Sequence, residues 1–310
     1  MGKVAFVFAG QGAQYVGMGK ELYENIPASK EVFEEASKEL GFDVKKLCFE
    51  GPKEDLNKTE NTQPAILTVS IAALKAFESY GIKPDAVAGL SLGEYSALVA
   101  SGVFEFKDAV KLVKKRGKFM QEAVPARVGT MTAVLGMDEQ GIREICEEAG
   151  KFGKIEPANF NCPGQIVIGG EINAVNYAAE KIIEKGFKAK PLYVSAPFHT
   201  SMLQPAAIKL EQELKNIEIH NMNIPVITNV TGEYVSNTDT IKETLKKQVM
   251  SSVLWEKTIR TMIDSGVDTF IEFGPGKVLS GFVKKVDRKL KSINIEDIKT
   301  LQKAVETLNL

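Results

Sequence analysis

Residues 85–100 read DAVAGLSLGEYSALVA, and they join a predicted strand to a predicted helix through a serine. The strand is expected over residues 85–90, and it runs directly into Ser91 within a GxSxG sequence that begins at Gly89 and ends at Gly93. In a nucleophile elbow such glycines permit a tight turn that lifts the serine Oγ out of the sheet, and the helix N-terminus offers free N–H groups to a developing oxyanion. The alternative interpretation is a glycine-rich turn whose serine only caps the helix.

Outward from this turn, short β-branched and apolar runs alternate with longer segments of helical period. This alternation predicts an α/β protein with a largely parallel sheet. Pro64 is expected in the first turn of its helix, where a missing N–H is harmless. The main predicted strands cover residues 3–9, 85–90, 225–230 and 269–273, and the main predicted helices cover 17–26, 30–40, 64–80, 106–123, 240–250 and 255–265, before closing helices.

The order of predicted strands and helices changes between residues 127 and 196. The order of elements in this region is that of a small βαββαβ unit. We therefore expect residues 1–126 and 197–310 to form one catalytic domain and residues 127–196 to form an insert within it. The predicted strands of the insert cover 130–135, 165–168 and 187–194, with a weaker strand near 155–160, and its predicted helices cover 139–149 and 172–185.

The composition is that of an ordinary globular protein, with 310 residues of which 44% are hydrophobic and 25% are charged. A formal net charge of -1 gives no global excess of basic residues for binding nucleic acid or an anionic membrane. The apolar start is too short for a signal-peptide core, and no stretch approaches the roughly 20 apolar residues of a membrane span. The three cysteines are far apart and leave one unpaired in any disulfide pattern, so we expect a reduced, cytoplasmic setting. No metal-ligand spacing and no dinucleotide fingerprint stands out, and we expect neither a metal nor a cofactor.

The chain has only two histidines as candidates for the base that a nucleophilic serine requires. His199 lies in the sequence VSAPFHT, just past a predicted strand, where loops often present catalytic groups. His220 lies in a polar stretch, which favours a solvated surface position. His199 is therefore the candidate base, and the alternative is a hydrogen-bonded structural imidazole.

Arg116 falls on the apolar stripe of the helix predicted for residues 106–123, whereas the neighbouring lysines fall off it. An arginine in that position faces inward, and a buried guanidinium needs a carboxylate or phosphate partner. Pattern alone leaves two interpretations open: a salt bridge to an internal acidic residue, or a site that holds a substrate carboxylate.

Several segments together resemble the malonyl-CoA:acyl carrier protein transacylases, the family shared by bacterial fatty acid synthesis and the acyltransferase domains of polyketide synthases. The resemblance runs nearly end to end and keeps the motifs in order. The matching segments are FAGQGAQ at 8–14, TQPA at 62–65, GLSLGEY at 89–95, RG at 116–117, ANFNCPGQ at 158–165, APFH at 196–199 and EFGPG at 272–276.

The resemblance implies an α/β-hydrolase-like core with an inserted ferredoxin-like subdomain, and it implies malonyl-CoA and acyl carrier protein as substrate and partner. The implied reaction is malonyl transfer to the carrier's phosphopantetheine thiol through a serine ester, which supplies fatty acid synthesis. The implied site comprises Ser91 as nucleophile, His199 as base, the backbone N–H groups of Gln11 and Leu92 as oxyanion hole, and substrate-binding positions at Arg116, Phe198, Gln248, Gln63 and Asn159. Within it, Arg116 binds the malonyl carboxylate, a backbone carbonyl from the segment containing Gln248 orients the histidine, and the Phe198 ring is the malonyl-selective form.

Three positions depart from the commonest family pattern, namely Leu90, Ala9 and Cys162. None of them removes a group that the mechanism uses. Three other functions stay open at this point. They are a discrete malonyltransferase acting in trans for a polyketide synthase, a serine esterase or thioesterase on the same elbow, and a binding domain that keeps the fold without the chemistry.

Overall fold

The computed structural model describes residues 2–125, 127–192, 194 and 196–309. The strands in chain order are β1 (Lys3–Phe8), β2 (Ala86–Gly89), β3 (Gly129–Leu135), β4 (Ile155–Cys162), β5 (Gln165–Glu171), β6 (Lys188–Leu192), β7 (Val267–Phe273) and β8 (Lys291–Ile295). The α-helices are α1 (Lys20–Asn25), α2 (Pro27–Leu40), α3 (Val44–Glu50), α4 (Lys53–Leu56), α5 (Thr59–Glu78), α6 (Gly93–Ala100), α7 (Phe106–Glu122), α8 (Glu139–Ala149), α9 (Ile172–Glu184), α10 (Gln204–Lys215), α11 (Ile241–Val249), α12 (Trp255–Asp264), α13 (Val278–Val286) and α14 (Ile298–Leu308).

The main sheet has four parallel strands in the order β2-β1-β7-β8. Its central strand β1 is buried from Val4 to Phe8, because helices cover both faces of the sheet. Successive residues of β1 point to opposite faces, so Phe6 and Phe8 pack in one hydrophobic cluster while Ala5 and Val7 pack in another. The carboxyl ends of β1 and β2 therefore open at the same edge of the sheet, where ligands of α/β proteins usually bind.

The insert has an antiparallel sheet in the order β4-β5-β3-β6. With α8 between β3 and β4 and α9 between β5 and β6, this is the ferredoxin-like βαββαβ arrangement. The strand that was only weakly indicated near residues 155–160 is formed as β4. The fold is therefore the expected α/β-hydrolase-like core with a ferredoxin-like subdomain. We propose the division into residues 1–126 with 197–310 and residues 127–196; residue 126, at the first boundary, lies outside the described residues, as do residues 193 and 195 near the second.

The helix α5 begins earlier than the sequence indicated, so the prediction of Pro64 in its first turn is wrong. The helix starts at Thr59, and Pro64 lies inside it. The Thr62 N–H donates to Lys58 O at 2.8 Å, and the Thr62 hydroxyl hydrogen-bonds to Leu56 O. These bonds form a helical turn before the proline, which the proline signal alone did not reveal.

Two strand predictions near the C-terminal half also differ from the structure. Residues 225–230 form only isolated bridges, in which Val226 pairs with Val87 and Ile227 pairs with Tyr234. The chain then forms a turn in which the Gly232 N–H donates to Thr228 O at 2.9 Å. Because of this turn, the strand pairing does not continue beyond the isolated bridges. Conversely, residues 291–295, in a region expected to be helical, form edge strand β8 beside β7.

Candidate active site

Ser91 lies at the sharp turn between β2 and α6 with a backbone φ of 53°. A side chain other than glycine is uncommon in this left-handed region, and the strain persists only where neighbouring groups hold it. Asn229 supplies that support: its Oδ1 accepts from the Ser91 N–H at 2.6 Å, and its Nδ2 donates to Gly89 O at 2.7 Å. The turn therefore has the geometry of a nucleophile elbow.

The two glycines of the elbow allow backbone segments to approach each other closely. A Cβ atom on Gly89 would lie 1.9 Å from the carbonyl carbon of Gly93, and a Cβ on Gly93 would lie 2.1 Å from Phe8 O. Backbone atoms cannot rotate out of the way as a flexible side chain can. The GxSxG spacing is thus a packing requirement at this turn.

We expect Gly93→Ala to lower the free energy of unfolding by about 3 kcal/mol, because the added methyl group pushes α6 away from β1. Urea denaturation measures the change. Gly150→Ala is the matched control, since a Cβ there would meet no atom of any residue beyond its local backbone within 4 Å. Its φ of -57° also suits alanine. Equal effects of the two substitutions would contradict the close-packing argument.

His199 lies beside the serine, with its Nε2 2.7 Å from Ser91 Oγ. Its Nδ1 lies 2.8 Å from the backbone oxygen of Gln248. A carbonyl oxygen can only accept, so Nδ1 carries the proton and Nε2 is free to accept from the serine hydroxyl. Burial, together with the charge of Arg116, lowers the pKa of His199 to about 4. The imidazole is consequently neutral near pH 7, as a general base must be.

Two backbone N–H groups are available near the serine. Leu92 is the residue before the first turn of α6, and its N–H has no acceptor among the described residues. The loop after β1 packs tightly on the elbow, since a Cβ on Gly10 would lie 2.5 Å from Leu90 O. That loop carries Gln11, whose N–H likewise finds no acceptor in the described part of the chain. Gln11 lines the same cavity as Ser91, and Leu92 follows Ser91 directly in the chain.

Arg116 is completely buried in the wall behind the serine. Its Nη1 donates to Gln63 Oε1 at 2.8 Å, and its Nη2 donates to Gln248 Oε1 at 2.9 Å and to Ser91 Oγ at 3.1 Å. The guanidinium also lies 5.2 Å from the centre of the Tyr95 ring. None of the ion pairs within residues 2–125, 127–192, 194 and 196–309 involves Arg116, so the salt-bridge interpretation finds no partner there.

A cavity of about 530 Å³ opens over the serine and the histidine. The main domain and the insert both contribute to its walls, and Phe198 and Asn159 line the same cavity as Ser91. Gln63 and Gln248 lie behind the wall and contact Arg116. The lining includes Gln11, Met120 and Phe198 from the main domain and Met131, Asn159 and Leu192 from the insert.

The sequence matches a known family of proteins. The family model described as "Acyl transferase domain" matches residues 5–306 of the chain. The chain belongs to this acyl transferase family. A malonyl CoA-acyl carrier protein transacylase of Bacillus subtilis (strain 168) is 51% identical over 310 residues, which cover 99% of this chain and 98% of the relative. The protein of the same name from Escherichia coli (strain K12) is 44% identical, with 99% of this chain and 100% of the relative covered.

Solved structures agree with the assignment to the acyl transferase family. The malonyl CoA-acyl carrier protein transacylase of Clostridium perfringens ATCC 13124 superposes with a TM-score of 0.97 at 55% identity, covering 99% of this chain and 97% of that one. A second structure contains a type II PKS acyl-carrier protein in complex with its malonyl-transacylase, with a TM-score of 0.95, 40% identity and coverage of 98% and 99%.

Two residues at the site of this acyl transferase, Glu94 and Asn229, were not predicted from the sequence. Glu94 is the one charged residue in α6, a helix that is otherwise apolar or small, and a charge in such a context could have been noticed. Asn229 follows a short apolar run, and nothing in its surroundings in the sequence distinguishes it. Both residues bond to the elbow or to Gln248.

Two kinds of feature are absent from the described part of the acyl transferase. Within the described ranges, no group of three or more His, Cys, Asp or Glu residues is placed to hold a metal ion. No described helix combines the length and the apolar character that a membrane crossing needs.

Proposed function

We propose that this acyl transferase moves a malonyl group from malonyl-CoA to the phosphopantetheine thiol of an acyl carrier protein, through an ester on Ser91. One observation carries the proposal. The Ser91 Oγ lies between a neutral base and a buried cation, 2.7 Å from His199 Nε2 and 3.1 Å from Arg116 Nη2. The relatives named malonyl CoA-acyl carrier protein transacylase support the same reaction.

The first half-reaction acylates the serine. His199 Nε2 takes the hydroxyl proton as Ser91 Oγ attacks the thioester carbonyl carbon, and the Gln11 and Leu92 N–H groups stabilise the resulting oxyanion. The carbon–sulfur bond then breaks, and the CoA sulfur leaves with the proton held by His199. A malonyl ester on Ser91 remains, and the imidazole is neutral again.

The second half-reaction reverses these roles with a new thiol. His199 removes the proton of the carrier's phosphopantetheine thiol, whose sulfur attacks the ester carbonyl. The same N–H groups stabilise the oxyanion, and Ser91 leaves with the proton returned by the imidazole. The nucleophile and the base both come from the chain, so the proposed chemistry requires no cofactor.

Arg116 gives this acyl transferase its preference for a carboxylated acyl group. Its guanidinium is fully buried, and a planar fork binds a carboxylate through two parallel hydrogen bonds. The malonyl carboxylate would supply the negative charge that no described ion pair gives this side chain. Phe198 lines the same cavity, where its ring would crowd a methyl branch on the acyl group.

We place this activity in fatty acid synthesis, in the cytoplasm, where the three free and buried cysteines remain reduced. The structure of a malonyl-transacylase with a type II PKS carrier supports a second candidate, delivery to a polyketide synthase. Transfer rates to purified carriers of the two pathways would distinguish these roles.

The reaction is tested by measuring intact protein mass after brief incubation with malonyl-CoA or, separately, acetyl-CoA, followed by phosphopantetheinylated carrier protein. We expect a malonyl adduct on Ser91 that persists in water and disappears onto the carrier. An adduct that water removes equally fast without carrier would instead identify an esterase or thioesterase. Absence of any adduct would favour a binding domain without catalysis.

A further inference from the structure

Glu94 is a buried carboxylate three residues after the proposed nucleophile, and the mechanism above does not use it. Its side chain is 1% exposed. One oxygen, Oε2, accepts hydrogen bonds from the Gln248 Nε2 group at 3.0 Å and from the Asn229 backbone N–H at 2.8 Å. A carboxylate in such a place is destabilising unless a nearby positive charge or hydrogen bonds compensate it.

The two partners of Glu94 are the residues that hold the site together. Gln248 accepts from Arg116 through its Oε1 and orients His199 through its backbone oxygen. The Gln248 Nε2 group also donates to the backbone oxygen of Ser91 at 2.9 Å. Asn229 supports the elbow from the other side. One carboxylate therefore contacts the supports of the base, of the cation and of the nucleophile.

The amide of Gln248 lies between two opposite charges. Its oxygen faces the guanidinium of Arg116, and its nitrogen faces the carboxylate of Glu94. Reversing the amide would place an NH₂ group against the cation and an oxygen against the anion. The two charges thus define one orientation of the amide, and this amide belongs to the residue whose backbone oxygen contacts His199.

We propose that Glu94 is a positioning residue for malonyl transfer: its negative charge, acting through the Gln248 amide, holds Arg116 toward the substrate carboxylate and holds the carbonyl that orients His199. The inference rests on the proposed function. It differs from a purely structural role because it requires the charge on Glu94, and not only its volume and hydrogen bonds.

Burial raises the pKa of Glu94 to about 7 against the opposing effects of its hydrogen bonds and of Arg116. Its charge is therefore present above about pH 7 and is lost as the pH falls through that value. The ionisable groups nearby are Arg116 from α7, Tyr95 on the same helix and His199. Strand β2 and the buried face of α5 carry none, and β1 carries only the exposed Lys3. His199, with a pKa of about 4, stays neutral above pH 5.5.

The test measures the rate of malonyl-Ser91 formation from malonyl-CoA between pH 5.5 and 8.5, a step that involves no ionising thiol nucleophile. Glu94→Gln keeps the size of the side chain and removes the charge. Glu272→Gln is the matched control, because Glu272 is also 1% exposed and burial raises its pKa to about 7. Glu272 hydrogen-bonds to the backbone at Leu279 and Ser280, outside the catalytic network.

We expect Glu94→Gln to be about tenfold slower than the unmodified protein at pH 8.5 and within about twofold of it at pH 5.5, because protonated Glu94 resembles glutamine. The malonylation rates of the unmodified protein and of Glu272→Gln should both change with an inflection near pH 7. The rate of Glu94→Gln should show no such inflection. A loss of rate that is equal at all pH values would show a structural role and overturn the proposal.

If Glu94→Gln does not fold, as judged by thermal unfolding, the pH profiles of the malonylation rate of the unmodified protein and of Glu272→Gln test the proposal. If the malonylation rate of both proteins shows no inflection near pH 7, the role of Glu94 is overturned. It is also overturned if the inflection of the unmodified protein disappears in Glu272→Gln. Failure of the unmodified protein to form any adduct would instead refute the proposed function, so the two failures are distinguishable.

Discussion

Arg116→Ala is expected to lower the rate of Ser91 malonylation by about 100- to 1000-fold, because the malonyl carboxylate loses its cation in a buried site. Acylation from acetyl-CoA should change by less than about fivefold, since an acetyl group has no carboxylate for the guanidinium to bind. Single-turnover rates of adduct formation, followed by intact mass, give both numbers from one preparation.

Two further variants sharpen this measurement. Arg116→Lys keeps the positive charge but loses the planar fork, and we expect a malonyl rate between those of the alanine variant and the unmodified protein. Lys115→Ala is the control on the same helix, where the exposed Lys115 forms an ion pair with Glu213. Equal losses with malonyl-CoA and acetyl-CoA would show that Arg116 supports the site without recognising the carboxylate.

His199→Ala should slow Ser91 acylation by about 10⁴-fold or more with either acyl group, because the serine hydroxyl loses its base. The chain provides its own control in the second histidine. His220 is partly exposed, and among the described residues its one potential ion-pair partner is Glu218, at 3.9 Å. His220→Ala should therefore leave the acylation rate unchanged. Rapid adduct formation in His199→Ala would mean that another group activates the serine.

The sequence predicted those elements whose signals are local. The strand, the GxSxG turn and the helix follow one another in residues 85–100, and the βαββαβ order of the insert lies within about 70 consecutive residues. Short elements with mixed signals were harder to predict. The strand expected at 225–230 gave way to a turn closed by Gly232, and the five-residue β8 carries too short a pattern to distinguish it from its helical neighbours.

The identity of most site residues could be predicted from the sequence, whereas their contacts with one another could not. Arg116 was expected to face inward from helical period alone, and the structure shows the side chain fully buried. The contact of Gln248 with the backbone oxygen of Ser91 joins residues 157 positions apart, and no spacing rule gives that distance. Asn229 was not predicted for the same reason. Glu94 has a local signal, as the one charge in α6, but its contacts with Asn229 and Gln248 also join distant segments.

Both proposed catalytic residues have left-handed backbone conformations, with φ of 53° at Ser91 and 62° at His199. Laboratory evolution of this protein toward heat resistance could therefore select stabilised but inactive variants. Glycine at either position would relieve conformational strain of order 1 kcal/mol and would remove the nucleophile or the base. A screen that scores only survival at high temperature would reward such inactive variants, whereas a screen that also requires turnover would direct improvement to the remainder of the molecule.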